Sequence, residues 1–152
     1  MKRVMLPKTL RAIGRNAFSG TQIEQIEIPE GVEKIEKRLF AMCLQLKSVK
    51  LPGSVVQIAP NAFEACIHLE TINIPAKVTM IPKDMFNSPV HGLNYPFACT
   101  GLKHVYIEGK YTRIEKDAFY IGLDAEKLTI HAPAGSYAET YAKENNIPFV
   151  AE

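Results

Sequence analysis

The side chains able to do chemistry in this chain are few, and their spacing says more than their identities. Three cysteines, Cys43, Cys66 and Cys99, each stand three residues before a leucine (Leu46, Leu69, Leu102). A thiol column can bind metal or close a disulfide. An odd count without a Cys-x-x-Cys pair carries no zinc signature, however. A narrow core slot filled by a small apolar side chain is the favoured reading. The four histidines are scattered. His104 and His131 fall on the outward phase of two short extended segments, one rung apart at different strand positions. With no Asp or Glu in phase beside them, they read as surface histidines rather than a metal pair. No Ser-His-Asp set, nucleophile elbow, Gly-rich phosphate loop or pair of catalytic carboxylates can be assembled. The expectation is a protein with no catalytic residues, no cofactor and no metal.

What positions these residues is a repeat. Aliphatic-Pro pairs recur at Leu6-Pro7, Ile28-Pro29, Leu51-Pro52 and Ile74-Pro75, with the prolines stepping by 22, 23 and 23 residues. Leu10, Val32, Val55 and Val78 keep the same phase, as do Ile13, Ile35, Ile58 and Ile81, and then Phe18, Phe40, Phe63 and Phe86. A fifth unit fits if roughly residues 87–97 are looped out. Leu102, Val105 and Ile107 then take the strand positions, Glu108 replaces the proline, and Tyr111, Ile114 and Phe119 fill the later columns. One such unit cannot bury its own apolar face, so neighbours must stack and share a core.

Alternation within Leu46-Lys47-Ser48-Val49-Lys50-Leu51 puts Val49 and Leu51 on one face of a short strand and Ser48 and Lys50 on the other. Pro52 then ends the pairing, having no N–H to donate. Asn16-Ala17-Phe18, Asn61-Ala62-Phe63 and Asp117-Ala118-Phe119 read as capped helical turns, with Asn or Asp as N-cap and Phe driven inward. Each buried Phe contributes about 1.5–3 kcal/mol from area alone. The end departs from the repeat. Ser136 to Glu139 has capping-box spacing, with Tyr137, Ala138, Tyr141 and Ala142 on one helical face. Asn145-Asn146 stops the helix and Ile147 to Val150 is extended. The expected organisation is therefore a leucine-rich-repeat-like α/β solenoid. It is a right-handed superhelix of short parallel strands with helical turns or loops opposite and a C-terminal helix cap. Residues 1–131 form an array of about five repeats and residues 132–152 the cap. Val4 and Leu6 already sit in strand phase, so the start reads as a truncated longer array.

The outward face of the sheet and the insertion are the candidate binding surfaces. Five residues before each proline position stand Lys2, Glu24, Lys47, Glu70 and Lys103, an alternating ladder that reads as self-neutralising. Two residues before it stand Met5, Glu27, Lys50, Asn73, Tyr106 and His131, a column that turns aromatic towards the C-terminal end. Lys50, Asn73, His104, Tyr106 and His131 are thus the candidate ligand-binding residues of the face. Arg15, Lys37, Lys83 and Lys116 form a basic row on the turn side, broken only by Pro60, and read as solvated. The insertion adds His91, Tyr95 and Phe97, since loops on a rigid scaffold often carry recognition; a loop that merely packs its own apolar residues is the alternative.

Composition narrows the classes. Apolar residues at 47% and charged residues at 22% make a globular chain rather than a disordered one. A net charge of +2 is too small for bulk phosphate gripping, which argues against nucleic acid. Nothing approaches the roughly 20 apolar residues of a membrane span.

The pattern Leu69-x-x-Ile72-x-Ile74-Pro75-x-x-Val78-x-x-Ile81, preceded by Asn61-Ala62-Phe63-x-x-Cys66, resembles the BspA-like class of leucine-rich repeats. The closing Ala132-Pro133-Ala134-Gly135-Ser136-Tyr137-Ala138 to Ile147-Pro148-Phe149 resembles the end of many such arrays. That resemblance implies a secreted or surface-anchored microbial protein and a role in adhesion, with a protein or a glycan as partner. A spacer within a longer surface protein, or an intracellular scaffold, are the alternatives.

Overall fold

The computed structural model describes residues 2–86, 101–116, 118–119 and 127–152. The insertion, Cys99 and Asp117 lie outside these residues. The chain runs through β1 (Arg3–Val4), β2 (Gln25–Glu27), β3 (Lys34–Ile35), β4 (Ser48–Lys50), β5 (Gln57–Ile58) and β6 (Thr71–Ile74). It continues through β7 (Met80–Ile81), β8 (His104–Ile107), β9 (Arg113–Ile114), β10 (Thr129–Ala132), α1 (Tyr137–Glu144) and β11 (Phe149–Ala151). Seven strands, in the order β1-β2-β4-β6-β8-β10-β11, form one sheet, and every pairing in it is parallel. Shorter ladders, β3 with β5 and β7 with β9, follow the corners after the long strands, three of them at proline and the last at Glu108. This is a parallel β-solenoid, as the repeat requires.

The core is the stack of inward columns. Phe40, Phe63 and Phe86 are fully buried, and their rings continue from Phe18 to Phe119 at centroid separations of 5.6, 5.3, 6.2 and 5.7 Å. Phe119 thus takes its place in the column beyond the insertion. Ile13, Ile35, Ile58 and Ile81 are buried in the same way.

The turns opposite the sheet differ from expectation. Asn16 and Asn61 are not helix N-caps; both have left-handed backbone, with φ of 58° and 61°. Arg38, two residues before Phe40, has the same conformation at 58°. The physical reason lies between coils. The amides that a helix would use internally donate instead to the next coil, Phe18 N–H to Leu39 O at 3.1 Å, Phe40 N–H to Ala62 O at 2.9 Å and Phe63 N–H to Met85 O at 3.0 Å. Asparagine suits the position because it tolerates the left-handed region better than most residues.

A second correction falls in the unit without proline. Tyr111 was expected in the column of Val32, Val55 and Val78, yet it is 70% exposed, and Thr112 fills that slot. The Thr112 hydroxyl donates to Val78 O at 2.8 Å. The corner keeps its length, since Ile74 pairs with Ile107 and Ile81 with Ile114, but with Glu108 in place of proline the turn starts one residue later, at Gly109, whose carbonyl accepts from Thr112 N–H. A Cβ there would run into the Thr112 hydroxyl and the Ala76 backbone.

The cap is built as its sequence requires, with one exception. Ser136 Oγ accepts from Glu139 N–H at 3.2 Å, and Gly135 N–H donates to Glu139 Oε2 at 2.6 Å. Ala138 and Ala142 are buried, and Tyr141 meets Phe119 edge-on. Tyr137 turns away from the core, half-exposed against Tyr111. Asn145 closes the helix, Asn146 is left-handed at φ 54°, and β11 then adds the seventh strand beside β10.

Candidate binding face

Strand alternation decides what the outward face displays. Ile26, Val49, Ile72, Val105 and Ile130 point inward and are buried. In register across the rungs, Gln25, Ser48, Thr71, His104 and Thr129 form one outward row, and Asn73, Tyr106 and His131 lie in the next. Over these rows runs a groove of about 730 Å³, lined among others by Arg3, Glu27, Lys50, Asn73, Tyr106 and His131. Four of the five face residues singled out from sequence line it. His104 lies beside it. His91, Tyr95 and Phe97 lie outside the described residues.

The rows change character along the solenoid. From β2 to the start of β8 charges answer each other: Lys50 Nζ meets Glu27 Oε1 at 2.9 Å, and Lys103 Nζ meets Glu70 Oε1 at 3.3 Å. The hydrogen bond from Lys50, more than its charge, holds the Glu27 carboxyl below the usual carboxylate range. Asn73 is fully engaged within the scaffold. Its Oδ1 accepts from Leu51 N–H at 2.8 Å, and its Nδ2 donates to Leu51 O at 2.9 Å and to Glu108 Oε1 at 3.0 Å. Its position on the face is as expected; its polar atoms serve the backbone of the neighbouring rung.

On the C-terminal rungs the face is aromatic. Tyr106 and His131 stack with centroids 4.3 Å apart and planes 19° apart. His104 Nδ1 and His131 Nε2 are 2.9 Å apart, so the two histidines meet diagonally across the rungs despite their different strand positions. An acid does stand in phase, contrary to the sequence reading. Glu152 Oε1 meets His131 Nδ1 at 2.8 Å. The pairing of β10 with β11 brings it there, and its own N–H is tied to Ala132 O at 3.0 Å. Counting forward from β11 was the only available signal, because Glu152 belongs to no repeat column.

The cysteine slot has a role that size alone does not explain. Cys43 Sγ donates to Phe18 O at 3.0 Å and Cys66 Sγ to Phe40 O at 3.1 Å. Each thiol adds a hydrogen bond between coils to the carbonyl of the aromatic residue one coil earlier, which also accepts from a backbone N–H of its own turn. Burial pushes the Cys43 thiol above its ordinary pKa, only partly offset by its contact with Thr21, so both observations point to a protonated, structural group. Among the described residues, no group of three or more His, Cys, Asp or Glu side chains is arranged to hold a metal ion.

A parallel solenoid with one long sheet and an open polar face defines the class as a leucine-rich-type repeat protein. The model of the BspA type leucine rich repeat region matches residues 1–93 and 92–146 in six copies. The chain belongs to that family. It is similar to the crystal structure of a leucine rich cell surface protein from Faecalibacterium prausnitzii, at 28% identity and a TM-score of 0.62, over 80% of this chain and 28% of that one. It also shares the fold of the pneumococcal vaccine antigen PcpA, at 18% identity and a TM-score of 0.72, over 100% of this chain and 42% of that one. The chain thus spans less than half the length of either structure. No curated protein sequence matches significantly. No helix among the described residues is long and apolar enough to cross a membrane.

Proposed function

We propose that this chain is a non-enzymatic, adhesion-type binding module of a cell-surface or secreted protein, which captures a protein or glycan partner on the outward face of its long sheet. The observation that carries the reading is the groove over the sheet, whose lining passes from the Glu27–Lys50 pair to the exposed edge of Tyr106. Such a face offers a rigid aromatic anchor within a polar rim, the composition from which binding hot spots are built. The likeness to a Faecalibacterium cell surface protein supports the location.

The charge ladder supports a second reading, a spacer that presents other parts of a longer protein. Face residues that satisfy one another leave less for a ligand. Matrix proteins and a glycan array, probed with the parent and with Tyr106→Ala, separate the two. Capture by the parent that falls at least about tenfold on losing the tyrosine, the signature of a hot spot worth more than 1.4 kcal/mol, supports the module. No capture from either panel supports the spacer. The insertion is tested in parallel by deleting residues 88–96. Loop closure depends only weakly on length, so the variant is expected to fold. If Tyr95 and Phe97 anchor the partner, binding disappears with the loop; if binding persists, recognition belongs to the sheet face.

A further inference from the structure

We propose that His104 and His131 form a two-imidazole clamp for a Cu(II) or Ni(II) ion at the C-terminal end of the sheet face, with Glu152 orienting His131. Three observations lead there. His131 is held in place on two sides: Tyr106 stacks on its ring at 4.3 Å, and its side chain is only 12% exposed. Its Nδ1 faces the Glu152 carboxylate at 2.8 Å. An ionised carboxylate only accepts, so Nδ1 carries the hydrogen and Nε2 presents its lone pair. That arrangement of carboxylate, imidazole and free nitrogen is the one that orients histidine ligands at metal centres. The backbone of Glu152 is placed beside His131 by the bond of its N–H to Ala132 O.

The second nitrogen is already close. His104 Nδ1 lies 2.9 Å from His131 Nε2, and His104 is exposed, so its ring can swing about Cβ–Cγ. Without an ion, His104 Nδ1–H donates to His131. With an ion, His104 takes its other tautomer, hydrogen on Nε2, and both lone pairs turn to the metal. No net proton is released when both rings are neutral.

The hydrogen-bonded separation is already close to the cis spacing of two imidazoles on one metal, so His104 needs only a small swing. Two nitrogens 2.9 Å apart, each about 2.0–2.1 Å from one ion, subtend an angle of about 90° at it. That is the cis angle of square-planar and tetragonal Cu(II) and Ni(II). A tetrahedral Zn(II) site would need the nitrogens to part to about 3.3 Å. The order of affinities for nitrogen sites also favours Cu(II). This site is independent of the partner reading, since its readout is the ion itself.

The test uses the whole chain in a non-chelating buffer, titrated with Cu(II), Ni(II) and Zn(II) by calorimetry, with the Cu(II) form examined by electron paramagnetic resonance. The parent is expected to bind one Cu(II) with a tetragonal spectrum and hyperfine splitting from two imidazole nitrogens, and to bind Ni(II) at least as tightly as Zn(II). Glu152→Gln is expected to weaken Cu(II) binding about 10–100-fold, the usual effect of removing such a partner. His104→Ala is expected to weaken it further and to reduce the spectrum to one nitrogen. His68→Ala, whose imidazole Nδ1 instead meets Leu44 O, is expected to change nothing. Thermal unfolding of the metal-free variants shows whether each is folded; should His104→Ala fail, His104→Gln replaces it. Parent-like Cu(II) affinity in the His104 variant, or loss of binding in the His68 variant alone, overturns the proposal.

Discussion

The two ends of the sheet face use the same backbone for opposite purposes. On rungs β2 to β6, outward side chains are turned on one another, Glu27 to Lys50 and Asn73 to the Leu51 backbone. On rungs β8 to β11, Tyr106, His104 and His131 meet as rings, His131 held between His104 and Glu152, and the edges of Tyr106 and His104 stay exposed. The comparison teaches that repeat phase alone decides which positions face outward. What occupies a position decides whether the rung is consumed by its neighbours or remains available. Exposed charge pairs of the first kind contribute little to stability, so their main effect is to keep that end of the face neutral.

Both ends depend on one core, and the sharpest way to break the comparison is to break that core. Phe63→Ala is expected to cost about 3–5 kcal/mol in chemical denaturation, from lost transfer energy and the cavity left behind. Phe18, partly buried at the first coil, is expected to cost clearly less. Equal costs would show that the stack is not the shared spine of the two halves. Cys66→Ala is expected next, at about 0.5–1.5 kcal/mol, because it removes one of two hydrogen bonds to Phe40 O, the other coming from Cys43 N–H. Cys66→Ser, which keeps a donor, is expected to recover part of this. Native-state alkylation should be slow at Cys43. Its raised pKa keeps the thiol protonated, so the stability it lends is full below the ordinary thiol value and fades as pH rises towards the folded one.

The smallest effect belongs to the paired end of the face. Glu27→Gln is expected to leave the melting temperature almost unchanged at neutral pH. The depressed pKa of Glu27 gives the sign: its pairing helps above the ordinary carboxylate value and is lost as pH falls through the lowered one. A pH titration of the parent against this variant should therefore show a small gap at neutral pH that closes on the acid side. A large difference at neutral pH would mean that the ladder does more than neutralise.

Much of the fold was legible because each repeat column makes the same local demand in every unit. Val49 must bury, Lys50 must face outward, and Phe63 must stack, whatever the neighbouring coil contains. The left-handed turns at Asn16 and Asn61 were not, because helix capping and the left-handed region both favour asparagine, and only the next coil's carbonyl chooses between them. Thr112 displaced Tyr111 for a similar reason: a turn that starts one residue later, at Gly109, is decided by contact with Ala76.

The sequence by itself determined the solenoid, its inward columns and the outward phase of Lys50, Asn73, Tyr106 and His131. Only the tertiary structure decided what those outward groups do. It turned Asn73 inward on its neighbour's backbone, and it joined His104 to His131 across 27 residues and His131 to Glu152 across 21. The physical reason is that burial is imposed position by position along the chain, whereas a hydrogen bond between rungs depends on how two coils are set side by side.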